Sequence, residues 1–350
     1  MSQTRLPAWA EESRRIFRAG TVSQYLLYGN LFDLVPYVHQ GKQYFAPLKT
    51  FLTEVLFAPF EVVLSYNRSG GLRALRGQEI LQQYQQARQE WGLANTPQLA
   101  LPRDAWASLE YLDGFLRYSR NRDPKPRVVL LIDFPEFLVP RGDPAQLSER
   151  ASEILLKLLD WASDPSWVDA QHVTVLLSET LNLLHRSLVE NAYSAKLHIQ
   201  LPDQQECQEY LEYLKTDFPE LPNSIEVAWE TLGSRVVGLS RVHIRHIVAL
   251  ALRNQQPITY KYLSGLKKEL IEKECAGLLE FVDSRRTLAD VAGMDNVKSW
   301  LKHDAELIRQ GQNQAVPMGY LFCGRIGTGK TWLANCFAGE LGIPFVVLKN

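Results

Sequence analysis

Short apolar runs alternate with amphipathic stretches along residues 1–202 of the chain. The runs are rich in Val, Ile and Leu, and several end at Gly, Asn or Asp, which indicates strands followed by turns. The predicted strands cover residues 23–28, 60–66, 128–133, 173–178 and 197–202. Apolar positions at helical spacing predict helices at residues 1–20, 45–57, 78–92, 109–118 and 147–161. Strands that alternate with helices predict a parallel, doubly wound α/β sheet.

Beyond Asp203 the strand signals fade and helical periodicity takes over. Helices are predicted at residues 204–214, 225–231, 240–253 and 259–280, which together form an all-helical segment. Residues 281–290 are expected to be a linker. Asp295 then provides an N-cap for an amphipathic helix that carries Val297, Trp300, Leu301 and Ile308.

A phosphate-binding motif follows that helix. Residues 324–331 read G-R-I-G-T-G-K-T and fit the Walker A pattern G-x-x-x-x-G-K-[ST]. Glycines allow the backbone to curl so that successive N–H groups hold phosphate oxygens, while Lys330 adds a charge and the Thr331 hydroxyl can ligate Mg²⁺. A predicted strand at 320–323, a helix from Thr331 that ends before Gly342 and Pro344, and a strand at 345–348 supply the β-α-β context. We therefore predict a nucleotide site here.

Composition sets few further limits. Hydrophobic residues make up 46% of the chain and charged residues 22%, as in ordinary globular proteins. The net charge of −1 gives no electrostatic signal for nucleic acid or an anionic membrane. The four cysteines show no C-x-x-C pairing, and no apolar run is long enough for a leader or a membrane span. These features predict a cytoplasmic protein with reduced, buried thiols.

The order of these segments resembles tandem AAA+ ATPases: an α/β sheet, a helical lid, the block D-V-A-G-M-D-N-V-K at 290–298, and the Walker A loop. Residues 271–282 and the block that follows look like a family of AAA proteins encoded as open reading frames in chloroplasts and cyanobacteria. The resemblance includes sequence motifs over residues 265–350, where it is strong. Over residues 1–264 it is limited to the architecture, that is, to the order of sheet and helical lid. It implies a degenerate AAA α/β module at 1–203, a helical lid at 204–280, and the start of an intact second module at 281–350.

The resemblance also implies a ligand set. In relatives the backbone of the block that contains Asp290 and Ala292 lies against the adenine ring. The residues expected to bind ATP are Gly324, Arg325, Ile326, Gly327, Thr328, Gly329, Lys330, Thr331, Trp332, Asp290 and Ala292. Lys330 is the expected catalytic residue and Thr331 the expected Mg²⁺ ligand. Assembly into a homo-oligomeric ring is implied as well.

The first module departs from the AAA pattern at several positions. No G-K-[ST] follows Gly29 at the end of the first strand, and Phe134 stands after Asp133 where relatives carry a glutamate. Ser178 falls at the sensor-1 position, and residues 187–196 contain no arginine. On the helix that relatives use for sensor 2, Arg241, His243, Arg245 and His246 are interpreted as a solvated basic face. The first module is therefore expected neither to bind ATP tightly nor to hydrolyse it.

Two functions from different classes stay open. The leading hypothesis is an AAA+ ATPase whose second module hydrolyses ATP to remodel a macromolecule. The alternative is a nucleotide-regulated scaffold that does not hydrolyse ATP, and a small-molecule P-loop kinase is a distant third. Only residues 332–350 follow Thr331, so the acidic strand that hydrolysis needs is expected outside this sequence, whether it is a fragment or the product of a truncated gene.

Overall fold

The computed structural model describes residues 5–93, 101–226, 228–259, 262–263, 265–269, 279–282, 286–309, 315–325, 327–341 and 345–348. The chain divides into two compact units. Unit 1 comprises Met1–Asn223 and Glu230–Leu250, and unit 2 comprises Ser224–Trp229 and Ala251–Asn350. Boundaries of the three predicted modules at residues 203 and 280 stay predictions.

Unit 1 is built on a six-stranded sheet with the order β5-β4-β6-β7-β1-β8. Its strands are β1 (Gln24–Gly29), β4 (Val62–Asn67), β5 (Gly71–Arg76), β6 (Val128–Asp133), β7 (His172–Ser178) and β8 (Ser194–Ile199). All neighbours pair in parallel except β5, which is antiparallel to β4 at the edge. The predicted parallel α/β sheet is confirmed.

The two faces of the sheet carry two separate cores. Side chains alternate along each strand, so Leu130 belongs to one core and Val129 and Leu131 to the other. Strands β6 and β7 are buried almost throughout because helices cover both faces. This is why residues 128–132 of β6 are all apolar and why β7 is buried at every position, its polar residues included.

Helices of unit 1 cover both faces of the sheet, and further helices follow its last strand along the chain. They are α1 (Ala8–Ala19), α2 (Leu48–Phe51), α3 (Gln78–Glu90), α4 (Ala105–Arg120), α5 (Glu149–Ser163), α6 (Pro165–Asp169), α7 (Arg186–Val189), α8 (Gln204–Asp217), α9 (Trp229–Val236) and α10 (Arg241–Arg253). A π-helical turn, Leu52–Leu56, extends α2. Side chains of Asp104, Ser148 and Asp203 cap α4, α5 and α8.

Three details of the predicted elements are wrong. Residues 45–47 form the end of β3 (Lys42–Pro47), which pairs with β2 (Leu34–His39) in a hairpin, so the helix predicted from residue 45 begins only at Leu48. Strand β5 has no counterpart among the predicted strands. The helix predicted at 225–231 begins instead at Trp229, because Ile225 forms a bridge with Ile258.

Unit 2 contains the Walker A segment. Strand β9 (Leu279–Val282) pairs in antiparallel fashion with β10 (Phe345–Leu348), and the helices Asp295–Arg309 and Lys330–Leu341 pack on each other through Leu301, Ala305 and Leu333. The strand predicted at 345–348 is confirmed. The helix predicted to reach residue 280 is wrong at its end, since β9 is extended there; within 259–280 the helical residues described are 262–263 and 265–269.

The strand predicted at 320–323 is also wrong. Those residues have no regular structure, and Leu321 is 89% exposed with no paired strand beside it among the described residues. A strand needs a neighbour to take up its N–H and C=O groups. Predictions about residues 1–4, 270–278, 283–285, Gly342 and Pro344 lie outside the described residues. Within the described ranges, no helix is long and apolar enough to cross a membrane.

A buried histidine in β7 makes the stability of unit 1 depend on pH. His172 is 1% exposed, and burial, with a smaller contribution from Arg120, lowers its pKa from 6.5 to about 4. The unfolded chain therefore takes up a proton as pH falls through 6.5, while the folded chain does not until about pH 4, so stability falls with pH over that window.

We expect the free energy of unfolding to drop by about 2 kcal/mol between pH 6.5 and 5 through this residue alone. Urea denaturation of wild type and His172→Leu at several pH values checks this. As pH is lowered, the free energy of unfolding should fall more steeply for wild type than for the variant, because leucine does not titrate. Parallel pH dependences would contradict a neutral, buried His172.

Candidate functional site

The Walker A loop lies directly before the helix Lys330–Leu341. Gly327 and Gly329 have φ values of +85° and +80°, in the left-handed region that side chains other than glycine rarely adopt. No neighbouring atom lies within 4 Å of a Cβ built on either glycine, so the space beside these two positions is open. Ile326, the remaining residue of the predicted loop, lies outside the described residues.

The side chains of the loop bond to its own backbone. Lys330 Nζ donates hydrogen bonds to the carbonyl oxygens of Gly324 and Arg325 at 2.8 and 2.7 Å. Thr328 Oγ1 donates to the Arg325 carbonyl at 2.8 Å. A Cβ on Gly324 would come within 3.1 Å of Thr328 Oγ1, so this position favours glycine for space rather than for its backbone angle. Lys330 therefore lies across the loop, with its ammonium group at the carbonyls.

Thr331 and Trp332 occupy the first turn of the helix, and both are exposed. The guanidinium carbon of Arg286 lies 4.3 Å from the centre of the Trp332 ring, in the geometry of a cation–π contact. Trp332 is therefore covered by Arg286 on one face. The Thr331 hydroxyl remains at the surface, where it can reach a bound cation.

The block around Asp290 packs on the same helix. The Asp290 carboxylate accepts a hydrogen bond from Thr287 N at 2.8 Å, and Leu288 N donates to Glu340 Oε2 at 3.2 Å. Burial and the nearby Asp290 carboxylate raise the pKa of the Cys336 thiol. Ala292 is exposed beside the buried Val291. Residues 287–292 therefore pack on the side of the helix Lys330–Leu341. Their hydrogen bond to Glu340 lies at the C-terminal turn of that helix, away from the loop.

A buried hydrogen bond fixes the segment that leads into the loop. The Tyr320 hydroxyl donates to Asp304 Oδ2 at 2.7 Å, and Asp304 is buried in the helix Asp295–Arg309. Burial and the carboxylate raise the pKa of Tyr320 to about 12, so the hydroxyl keeps its proton and remains a donor. The rings of Trp300 and Phe337 pack on Tyr320 at 5.7 and 5.4 Å.

The residues of the loop fit a nucleotide but not a free metal ion. The described residues contain no group of three or more His, Cys, Asp or Glu side chains that could hold a metal. Mg²⁺ commonly binds through one or two protein ligands together with phosphate oxygens and water. The exposed Thr331 hydroxyl beside an open, glycine-shaped loop suits that mode of binding.

The corresponding edge of unit 1 has a lysine paired with the strand-end acid. Lys49, in α2, places Nζ 2.5 Å from Asp133 Oδ2 at the end of β6 and 2.8 Å from Ser65 Oγ. Ser178, at the end of β7, donates to the Thr180 carbonyl at 3.1 Å. The acid that could hold a cation is therefore engaged by an internal ammonium group.

A second ion pair lies where the loop after β1 meets α10. Asp33 and Arg241 are each 4% exposed, and Arg241 Nη1 is 3.5 Å from Asp33 Oδ2. The Asp33 carboxylate also accepts from Val242 N at 3.0 Å and from Asn30 Nδ2 at 2.9 Å. Arg241 reaches Glu206 at 3.3 Å as well. The interpretation of Arg241 as part of a solvated basic face is wrong, because its side chain is enclosed and paired.

Comparison with known families assigns the first two parts of the chain. Residues 2–200 match the model of the AAA+ chaperone N-terminal Rossmann-like domain, and residues 205–276 match that of the AAA+ chaperone second helical domain. The chain belongs to the AAA+ chaperone family. The predicted resemblance to AAA+ proteins is confirmed, and so is the α/β fold with a helical second domain.

Individual relatives agree with this assignment. The chain is 28% identical over 254 residues to the uncharacterised AAA domain-containing protein ycf46 of Guillardia theta, which covers 70% of this chain and 45% of the relative. It is 41% identical over 93 residues to the ATP-dependent zinc metalloprotease FtsH of Acidobacterium capsulatum, or 25% of this chain and 15% of that protein. A 69-residue match to FtsH of Nitrosococcus oceani is 47% identical and covers 18% of this chain and 11% of the protease. The chain thus spans less than half of each of these relatives.

Sequence reasoning missed two of the side chains that define unit 1 of this AAA+ chaperone-family chain. Lys49 and Asp33 belong to no motif, and their partners are far along the chain. A weak signal exists for Lys49, since it follows Pro47 in the first turn of a helix. No local pattern marks Asp33, whose partner Arg241 lies in another predicted domain.

Proposed function

We propose that the chain is part of an AAA+ ATPase that binds ATP at the loop of residues 324–332 in unit 2. The observation that carries the proposal is the conformation of the loop, with Gly327 and Gly329 at positive φ directly before a helix N-terminus and with open space beside both glycines. The N-terminal end of a helix and a curled glycine loop together favour phosphate.

Proposed roles follow for the loop, for Lys330 and Thr331, and for Asp290 and Ala292. Backbone N–H groups of the loop hold phosphate oxygens, and Lys330 exchanges its carbonyl partners for the β- and γ-phosphates. Thr331 ligates Mg²⁺, which neutralises phosphate charge when bound. Asp290 and Ala292 belong to the adenine side of the site by family resemblance. The ion pairs Lys49–Asp133 and Asp33–Arg241 support a role for unit 1 as a platform that does not bind nucleotide. In this proposal the protein forms a homo-oligomer in the cytoplasm and remodels a macromolecular substrate.

Substituting Lys330 with alanine tests the site. We expect the affinity for ATP to fall at least about tenfold and ATP turnover to fall to background, because a charge-assisted contact to the phosphates is lost. Fluorescent ATP-analogue titration and phosphate release measure the two effects. Lys302→Ala, at an exposed lysine of the helix Asp295–Arg309, is the matched control and should leave both unchanged.

The outcomes separate the proposed functions. Turnover that survives Lys330→Ala would exclude this loop as the catalytic site. Binding of ATP that requires Lys330, in a full-length protein without turnover, would identify a nucleotide-regulated scaffold instead. Thr331→Ala should weaken binding only when Mg²⁺ is present, because its hydroxyl acts through the cation.

A further inference from the structure

Three phenylalanines lie exposed at the carboxyl edge of the unit 1 sheet. Phe32 follows β1, while Phe134 and Phe137 follow β6; they are 63%, 39% and 63% exposed. The Phe32 and Phe134 ring centres are 6.0 Å apart, and those of Phe134 and Phe137 are 6.3 Å apart. We call these residues the phenylalanine cluster. Contiguous apolar surface of this kind is characteristic of binding sites rather than of ordinary surface.

The backbone at Phe134, the central residue of the cluster, is held in a strained conformation. Phe134 has a φ of +55°, a conformation that is uncommon for any residue with a bulky side chain. Its N–H donates to the Leu177 carbonyl at 3.1 Å, and its carbonyl accepts from Phe137 N at 3.1 Å. Strained residues that are fixed in this way concentrate at functional sites. The strained residue here holds an aromatic ring at the surface.

A cavity of about 490 Å³ lies elsewhere in unit 1 around Arg241, whereas a second cavity, of about 430 Å³, adjoins the phenylalanine cluster. Phe137 belongs to both the cluster and the lining of this second cavity. Arg68 Nη1 donates to the Phe137 carbonyl at 3.1 Å and so joins the two features. We call the second cavity the arginine cavity.

Positive charge predominates in the arginine cavity. Arg68, Arg103 and Arg150 line it against one acid, Asp104, whose carboxylate already accepts from the Ala107 N–H as the cap of α4. Arg150 pairs with Glu153 at 2.9 Å, but within the described residues Arg68 and Arg103 form no ion pair. This local excess contrasts with the net charge of −1 for the whole chain.

The remaining lining is apolar and aromatic. Leu138 and Ile154 are buried side chains of the cavity wall. The charged groups of Arg150 and Lys157 lie 5.7 and 5.3 Å from the centre of the Trp106 ring. Arginine, tryptophan and phenylalanine are enriched where a few residues dominate binding energy between proteins. A ligand for this surface therefore combines negative charge with apolar side chains.

We propose that the phenylalanine cluster and the arginine cavity form one docking site for an acidic, apolar segment of a partner protein. Carboxylates of the segment pair with Arg68 and Arg103, and its apolar side chains cover Phe137 and its neighbours. Nucleic acid is disfavoured because it needs an extended basic track. The site belongs to unit 1 and does not depend on the nucleotide site proposed for unit 2.

Binding of a model peptide tests the proposal. The probe is the acetylated, fluorescein-labelled peptide Glu-Glu-Leu-Phe-Glu-Glu, titrated with the whole chain and followed by fluorescence anisotropy. We expect Arg103→Glu and Phe137→Ala each to weaken binding about tenfold or more, since each removes one half of the recognition. Arg18→Glu, at an exposed arginine of α1, is the charge-matched control and should have no effect. Raising the salt concentration should weaken binding by wild type.

Four results would overturn the proposal. The first is equal binding of the lysine version, Lys-Lys-Leu-Phe-Lys-Lys, and the second is peptide binding that is unchanged by both variants. The third is tighter binding of single-stranded RNA than of the acidic peptide, lost in Arg103→Glu, which would assign the surface to nucleic acid. The fourth is self-association in sedimentation velocity that Phe137→Ala abolishes while peptide binding persists, which would assign the surface to a second copy of the chain. All variants are exposed substitutions, and circular dichroism verifies that they fold.

Discussion

Replacing Asp33 with alanine is expected to lower the free energy of unfolding of unit 1 by about 3–5 kcal/mol, the cost of breaking a buried ion pair from one side. Among the described residues, the substitution leaves the enclosed Arg241 with the partly exposed Glu206 as its remaining charged partner. It also leaves Val242 N and Asn30 Nδ2 without their carboxylate acceptor. Urea denaturation of wild type and variant at neutral pH measures the difference.

Two controls separate the ion pair from helix capping. Asp104→Ala removes an exposed cap from α4 that has no ion pair and should cost only about 1 kcal/mol. The double variant Asp33→Leu with Arg241→Met should recover much of the loss, because apolar residues can replace both charges. A loss in Asp33→Ala no larger than that in Asp104→Ala would show that Asp33 acts as a cap alone.

Gly29→Ala is expected to destabilise unit 1 by about 3 kcal/mol or more, since it combines backbone strain with overpacking. Gly29 ends β1 with a φ of +100°. A Cβ there would lie 2.5 Å from the Ile199 carbonyl oxygen and 2.8 Å from the His198 ring. The carbonyl belongs to the neighbouring strand and already accepts from Asn30 N, so it cannot move aside without breaking the edge of the sheet.

Gly41 provides the matched control for the glycine prediction. It has a φ of +74°, but no atom lies within 4 Å of a Cβ built on it. Gly41→Ala therefore carries the conformational cost alone, about 1 kcal/mol. The midpoint of urea denaturation should fall much further for Gly29→Ala than for Gly41→Ala. Equal shifts would mean that the contact with β8 relaxes freely.

The sequence predicted the central sheet well because burial on two faces leaves a direct mark. Residues 128–132 of β6 are all apolar and β7 carries an apolar run at residues 175–177, and short runs of this kind are typical of parallel strands covered by helices on both sides. The β2–β3 hairpin was missed because it is only half-buried and contains Pro36 and Pro47, which are typical of loops. Its stability comes from partners that are distant in sequence, such as Tyr210 and Tyr213 of α8, which pack on Phe45.

The candidate site shows the same division between local and distant information. The Walker A loop is a contiguous motif whose chemistry is fixed by the order of its residues, so sequence reasoning found it. The strand predicted before it failed because strand formation depends on neighbours rather than on composition. The pairs Asp33–Arg241 and Lys49–Asp133 arise only when the chain folds, and no pattern in either partner signals them.

The β2–β3 hairpin prevents point substitutions from creating a phosphate-binding loop after β1 in unit 1. A phosphate cradle requires a strand to pass into a helix through one short loop, so that consecutive N–H groups converge. Here β1 ends at Gly29 and α2 begins at Leu48, and the hairpin occupies the chain between them. Substituting residues 43–50 with the glycines, lysine and threonine of the motif would therefore change side chains without bringing those N–H groups together. Point substitutions alone are therefore not expected to create a phosphate loop in this unit, since that would require removal of the hairpin and loss of the contacts that α8 makes with it.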